Sequence, residues 1–294
     1  MKVLVTGSNG QLGHELISQI ENKRNPIGPI PEIFSGCDLA GIDIGDIDIA
    51  NEPEIMDFIE RGGFEVIFNC AAFTDVDGCE AQPDTAFNVN ADAPGYIAKA
   101  AEKTGAKLIH ISTDYVFSGD EPAPRLEFDP TEPKTVYGKS KLSGEQRVFQ
   151  TCKNSIIVRT AWLYGATGKN FVKTMLELAK RNNPIKVVND QFGNPTNAVD
   201  LAYHLMKLAA SKYLGIFHCT NNGVCSWYEF ASQIMKNAGF EVPVIPCTTA
   251  EFPRPAPRPA FSALDNARLR ETVGDGMRDW RAALADHISN MNQH

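Results

Sequence analysis

Short apolar runs rich in β-branched residues alternate along this chain with stretches whose apolar positions recur at helical spacing. Residues 2–6 (KVLVT) read as a strand, and Leu16, Ile17 and Ile20 mark the helix that follows. The same alternation predicts strands at 39–42, 65–69, 107–112 and 155–160, with helices at 86–103 and 136–149. Further on it predicts a helix over 171–181, another from Asn197, and a last sheet strand at 216–218. Strands and helices in strict alternation imply an α/β fold, a Rossmann-type doubly wound parallel sheet.

Past Trp162 the pattern loosens, and from Ser226 it reads as a smaller mixed α/β unit. The expected division is residues 1–163 plus 197–221 for a dinucleotide-binding domain, and 164–196 plus 222–294 for a substrate domain. Residues 22–35 hold three prolines and read as a surface insertion. The proline-rich stretch FPRPAPRP (252–259) is expected to be extended, either as a stiff connector or, through Arg254 and Arg258, as a diphosphate contact.

Candidate chemistry enters at the strand ends, where ligands of such sheets bind. Gly7, Gly10 and Gly13 in GSNGQLG follow the first strand directly. Glycines there permit a tight turn and close approach of backbone N–H groups to a diphosphate at a helix N-terminus, although a glycine turn alone also serves ordinary loops. Asp43 ends the second strand, where a carboxylate accepts hydrogen bonds from the adenosine ribose or is simply solvated; Asp48 and Ile49 would cover the adenine. Asp43 would repel a 2′-phosphate and Ser8 brings no cation, which favours NADH slightly over NADPH. Small residues at Cys70, Ala71 and Ala72 leave room for a nicotinamide ribose beside the backbone.

Tyr137 and Lys141 stand one helical turn apart, a spacing that brings an ammonium to a phenol. A cation in a dry cleft lowers a phenol's pKa from about 10 and makes it a proton donor at neutral pH. Thr113, at the end of the fourth strand, would offer its hydroxyl to a carbonyl oxygen. Tyr203 and Lys207 repeat the spacing, but Leu201, Leu205 and Leu208 beside them mark a buried stripe, so that pair reads as structural.

Composition narrows the class. A net charge of −8 argues against nucleic acid or an anionic membrane as partner. No apolar run approaches the ~18 residues of a membrane span, and the first strand breaks too early for a signal peptide, so a cytoplasmic protein is expected. Seven cysteines without a C-x-x-C suggest reduced, mostly buried thiols.

The blocks GSNGQLG, CAAFTDVDGCE, STDYVF, YGKSKLSGE, RTAWLYG, NFVKTM, DQFGNPT, SWYEFA and RPxxS (Arg258 to Ser262) follow one another through nearly the whole chain. Together they resemble the dTDP-4-dehydrorhamnose reductases, which are extended short-chain dehydrogenase/reductases. The resemblance implies reduction of the C4 ketone of dTDP-4-dehydro-L-rhamnose by hydride from NADPH or NADH. Thr113, Tyr137 and Lys141 match its catalytic residues, and Asp114 and Trp162 its substrate contacts, though Trp162 also suits a core. Gly10, Gln11, Leu12, Asp43, Asp48, Ile49, Ala72, Phe73 and Thr74 match its cofactor contacts. Phe73 departs from the tyrosine or histidine common there, and the 22–35 insertion is unusual. Some members dimerise around magnesium; Glu15 matches one ligand and the others are not identifiable, so magnesium stays possible without an identifiable ligand set and a homodimer stays open. Two rivals remain: a reductase of another dTDP-4-keto sugar, and a non-catalytic dinucleotide-binding subunit.

Overall fold

The computed structural model describes residues 1–291. Its centre is a six-stranded sheet. These are β1 (Lys2–Thr6), β2 (Asp38–Ile42), β3 (Val66–Asn69), β4 (Lys107–Thr113), β5 (Ser155–Thr160) and a sixth at Gly215–His218. All pair in parallel, in the order sixth strand, β5, β4, β3, β1, β2. The chain therefore leaves β1 toward β2 and returns on the other side as β3, which opens a crevice beyond the carboxyl ends of β1 and β3.

Alternating side chains load both faces of this sheet. Val3 and Val5 of β1 point with Phe68, Ile109 and Val158 into one core, closed by Leu12 and Leu16 of helix Gln11–Asn22 and by Leu201 and Leu205 of helix Ala198–Ala210. Leu4 points the other way, with Ile67, Leu108 and Ile157, against Ile55, Ile97 and Val148 of helices Glu52–Gly62, Ala93–Thr104 and Val136–Thr151. β5 is buried at all six positions, as expected of a central parallel strand.

A third core stands apart from the sheet. It packs Val172, Met175, Phe230, Ile234, Trp280 and Leu284 from helices Phe171–Ala179, Trp227–Ala238 and Trp280–Met291 over a strand pair, Ile185–Val188 with Val244–Cys247. Leu269, Val273 and Met277, which the sequence reading assigns to the second unit, pack on the sheet's first core.

Three expectations differ from what is observed. Residues 22–35 are not merely a surface insertion: Phe34 is fully buried and meets Phe68 with ring centroids 6.0 Å apart. One aromatic among prolines carries no periodicity, so its burial is not visible in the pattern. The helix expected at 86–103 is interrupted, with Pro83–Phe87 passing through a π-turn at Asn88–Asp92 before Ala93–Thr104. The helix expected over 171–181 stops at Ala179. Residues 252–259 contain neither helix nor strand, consistent with their prolines. Among the described residues no helix is long and apolar enough to cross a membrane.

Candidate active site

A cavity of about 1290 Å³ runs from the glycine turn to the third core. Gly7 takes φ +66°, and a Cβ there would lie 2.8 Å from the backbone of Ala71, so only glycine lets the β1 and β3 ends approach so closely. A Cβ on Gly13 would meet the Gly7 carbonyl at 2.2 Å, which fixes the helix start against the turn. Asp43 accepts the backbone N–H of Asn9 through Oδ2 at 2.9 Å and that of Ile44 through Oδ1 at 2.8 Å, tying the β2 tip to the glycine turn. Gly10, Gln11, Leu12, Asp48, Ile49, Ala71, Ala72, Phe73 and Thr74 all line the same wall.

The catalytic candidates share the cavity too. Thr113, Asp114, Tyr137, Lys141 and Trp162 line it. Thr135 caps helix Val136–Thr151 by accepting the Gly138 N–H at 3.0 Å, and the helix carries Tyr137 and Lys141 inward, 9% and 2% exposed. Thr113 Oγ1 donates to Asp114 Oδ1 at 2.8 Å and accepts the Tyr115 N–H at 3.2 Å. Tyr115 meets the Tyr137 ring edge-on, with centroids 5.4 Å apart.

Electrostatics here correct one expectation. Burial raises the Tyr137 phenol above its ordinary value; the Thr113 hydroxyl opposes this, and Asp114 adds to it. Lys141 was expected to lower that pKa, but its ammonium donates to the Ile111 carbonyl at 2.6 Å. Desolvation dominates both groups, and burial brings Lys141 itself down to about 8. Asp114 is pushed up to about 6 by burial, against the pull of the Thr113 and Ser262 hydroxyls.

Trp162 has φ 47°, uncommon for a bulky residue, and stacks on Trp227 with centroids 3.5 Å apart and planes 7° from parallel. The aromatic wall continues through Phe171, 4.5 Å from Trp227. Its residues come from both the sheet's edge and the third core, and Trp227 and Phe171 carry no sequence signal beyond ordinary core aromatics. Asn90 was missed as well. Its side chain accepts the Phe73 N–H at 2.8 Å and donates to the Phe73 carbonyl at 3.0 Å and to Ser140 Oγ at 3.1 Å, joining the β3 loop to the Tyr137 helix.

Arg254 and Arg258 also line the cavity. Tyr203 and Lys207 do not: the ammonium sits 5.8 Å from the ring on helix Ala198–Ala210, beside fully buried Leu201, Leu205 and Leu208. Among the described residues no group of three or more His, Cys, Asp or Glu gathers as a metal site, and Glu15 accepts a hydrogen bond from Gln19 at 2.7 Å. Ser112 Oγ and Thr160 Oγ1 are buried in the cavity wall without a hydrogen-bond partner among the described residues. The glycine turn, open to the cavity at Gly7 and Gly10, suits the diphosphate of a dinucleotide.

Known proteins share this fold. Residues 1–293 match the family described as the RmlD substrate binding domain. A spore coat polysaccharide biosynthesis protein of Bacillus subtilis is 41% identical, covering 98% of this chain and 96% of its own. A dTDP-4-dehydrorhamnose reductase of Clostridium acetobutylicum is 45% identical with a TM-score of 0.94, covering 99% of this chain and 100% of its own. The Bacillus anthracis dTDP-4-dehydrorhamnose reductase, solved with NADP, is 39% identical with a TM-score of 0.91 and the same coverage. This chain belongs to the dTDP-4-dehydrorhamnose reductase family.

Proposed function

We propose that this protein reduces the C4 ketone of dTDP-4-dehydro-L-rhamnose to give dTDP-L-rhamnose, taking hydride from NADPH or NADH. The observation that carries the reading is the convergence of Thr113, Tyr137 and Lys141 with the glycine turn on a single cavity. When bound, the nicotinamide supplies hydride to the ketone carbon. Thr113 holds and polarises the carbonyl oxygen, and Tyr137 donates the proton that the oxygen takes up. A nascent alkoxide is a far stronger base than a phenolate, so even a phenol made reluctant by burial gives up its proton. The buried ammonium of Lys141, held by the Ile111 carbonyl, would bind the nicotinamide ribose and so keep the nicotinamide in register with Tyr137.

Gly7, Gly10, Gln11 and Leu12 hold the diphosphate of the cofactor in this reading, Asp43, Asp48 and Ile49 its adenosine, and Ala71, Ala72, Phe73 and Thr74 its nicotinamide side. Asp114 and Trp162 position the sugar. The third core with its strand pair serves as the substrate-binding part, while residues 264–278 stay with the sheet. Every group invoked comes from one chain, and the reaction is placed in the cytoplasm.

The test is to follow NADH and NADPH absorbance with dTDP-4-dehydro-L-rhamnose and with other dTDP-4-keto sugars. Fastest turnover of dTDP-4-dehydro-L-rhamnose supports the assignment. Preference for another sugar moves it to a sister reductase, and cofactor binding without turnover of any sugar rejects it.

A further inference from the structure

Asp77, in the short helix Val76–Ala81 beyond β3, holds the proline-rich strap 252–259 across the cavity. Its Oδ2 accepts Arg258 Nη2 at 2.9 Å and lies 4.0 Å from Arg254 Nη1. Its Oδ1 accepts the backbone N–H of Ala256 at 3.1 Å. Two guanidinium groups and one backbone N–H thus converge on a single carboxylate, and they are the donors that a phosphate takes. Two cations face one anion, so positive charge is left over at the cavity wall.

The location matters as much as the charge. Arg254 and Arg258 line the cavity with Phe252 and Pro259, and the side chains of Arg258 and Asp77 are 20% and 25% exposed. Tyr115 feels the charges of both Arg258 and Asp77 while its ring touches Tyr137. Arg258 therefore stands near the phenol proposed to protonate C4. In a nucleotide sugar the diphosphate sits on C1, across the ring from that carbon.

We propose that Arg258 and Arg254 receive the substrate's diphosphate, and that Asp77 is an internal anion which fastens the strap until the diphosphate displaces it. This rests on the reading of the site as one for a nucleotide diphosphate sugar. Competition by Asp77 lowers the affinity for anionic ligands in return for a strap kept in register when no substrate is present.

Calorimetric titration of dTDP and of thymidine into the full-length protein and its variants tests this without turnover. Asp77→Asn, which keeps an acceptor for the Ala256 N–H but removes the charge, should bind dTDP about three- to fivefold more tightly, the scale of a partly exposed ion pair. Asp77→Glu should restore the competition. Arg258→Gln should weaken dTDP at least tenfold, and in that background Asp77→Asn should tighten it less than in the parent, since only Arg254 is left to be released. Thymidine and NADH affinity should stay unchanged throughout, which also reports that each variant is folded. Equal or weaker dTDP binding by Asp77→Asn, with NADH binding intact, would overturn the proposal, as would an equal loss of thymidine and dTDP in Arg258→Gln. Failure of the reductase assay with normal dTDP behaviour would instead count against the reaction and leave the latch standing.

Discussion

The ammonium of Lys141 donates to the Ile111 carbonyl on β4 at 2.6 Å, while the Tyr137 ring one turn earlier rests edge-on against Tyr115. The two residues are thus joined through the cavity floor as well as through their helix. Their division of labour gives a first prediction. Tyr137→Phe removes the proton donor and little volume, so kcat should fall by about 10²–10⁴ while NADH affinity holds. Lys141→Met should lower kcat and weaken NADH together, since the ammonium serves both. Stopped-flow turnover and fluorescence titration of NADH measure the two effects separately.

A second prediction concerns pH. Asp114 has its pKa raised to about 6, so its negative charge disappears as pH falls through that value. Lys141 has its pKa lowered to about 8, so its positive charge disappears as pH rises through that value. The kcat/KM profile, which reports free-enzyme groups, should therefore be bell-shaped with limbs near 6 and 8. Asp114→Asn should remove the acid limb and leave the alkaline one. A profile flat from pH 5 to about 9 would reject this assignment.

Stability should move against activity at the same residue. A carboxyl whose folded pKa is raised stabilises the fold only below its unfolded value, and that contribution is lost as pH climbs through the folded value. For Asp114 the window runs from 3.8 to about 6. Above it the buried charge costs up to about 3 kcal/mol, from roughly two pKa units. Asp114→Asn should accordingly unfold at higher denaturant than the parent at pH 7.5, with the difference vanishing below pH 4, even as its turnover falls. Paired denaturant titrations at the two pH values decide this.

The Trp162–Trp227 stack supplies a fourth. A Cβ on Gly193 would come within 2.6 Å of Trp162 Cε2, and Trp227 against the indole face leaves it little room to retreat. Gly193→Ala should destabilise the protein by about 1–3 kcal/mol through overpacking and raise KM for the sugar, with NADH affinity unaltered. An unchanged KM would remove Trp162 from the sugar subsite.

How much of this was legible follows from sequence distance. The glycine turn, the sheet strands and the Tyr137 and Lys141 pair are local patterns, and each lies where its spacing puts it. Thr113 and Asp43 were legible because strand ends of a parallel sheet converge. Asn90 was not: it grips Phe73 from within a π-turn that helical periodicity cannot distinguish from plain helix. Asp77 and Arg258 meet across 181 residues, and Trp162 finds Trp227 only once the third core has folded against the sheet. Phe34 hid among prolines for the same reason. The lowered Tyr137 pKa expected from the spacing failed differently, because burial of the phenol raises it.

The central claim is hydride delivery to C4 coupled to proton donation by Tyr137. Reduced cofactor carrying deuterium on the transferred position of the nicotinamide, incubated with dTDP-4-dehydro-L-rhamnose and followed by NMR of the sugar, tests it most directly. The account predicts deuterium at C4 of dTDP-L-rhamnose with the wild-type protein and product formation slowed at least a hundredfold by Tyr137→Phe. Deuterium at any other carbon, or labelling at an undiminished rate in the phenylalanine variant, would contradict it.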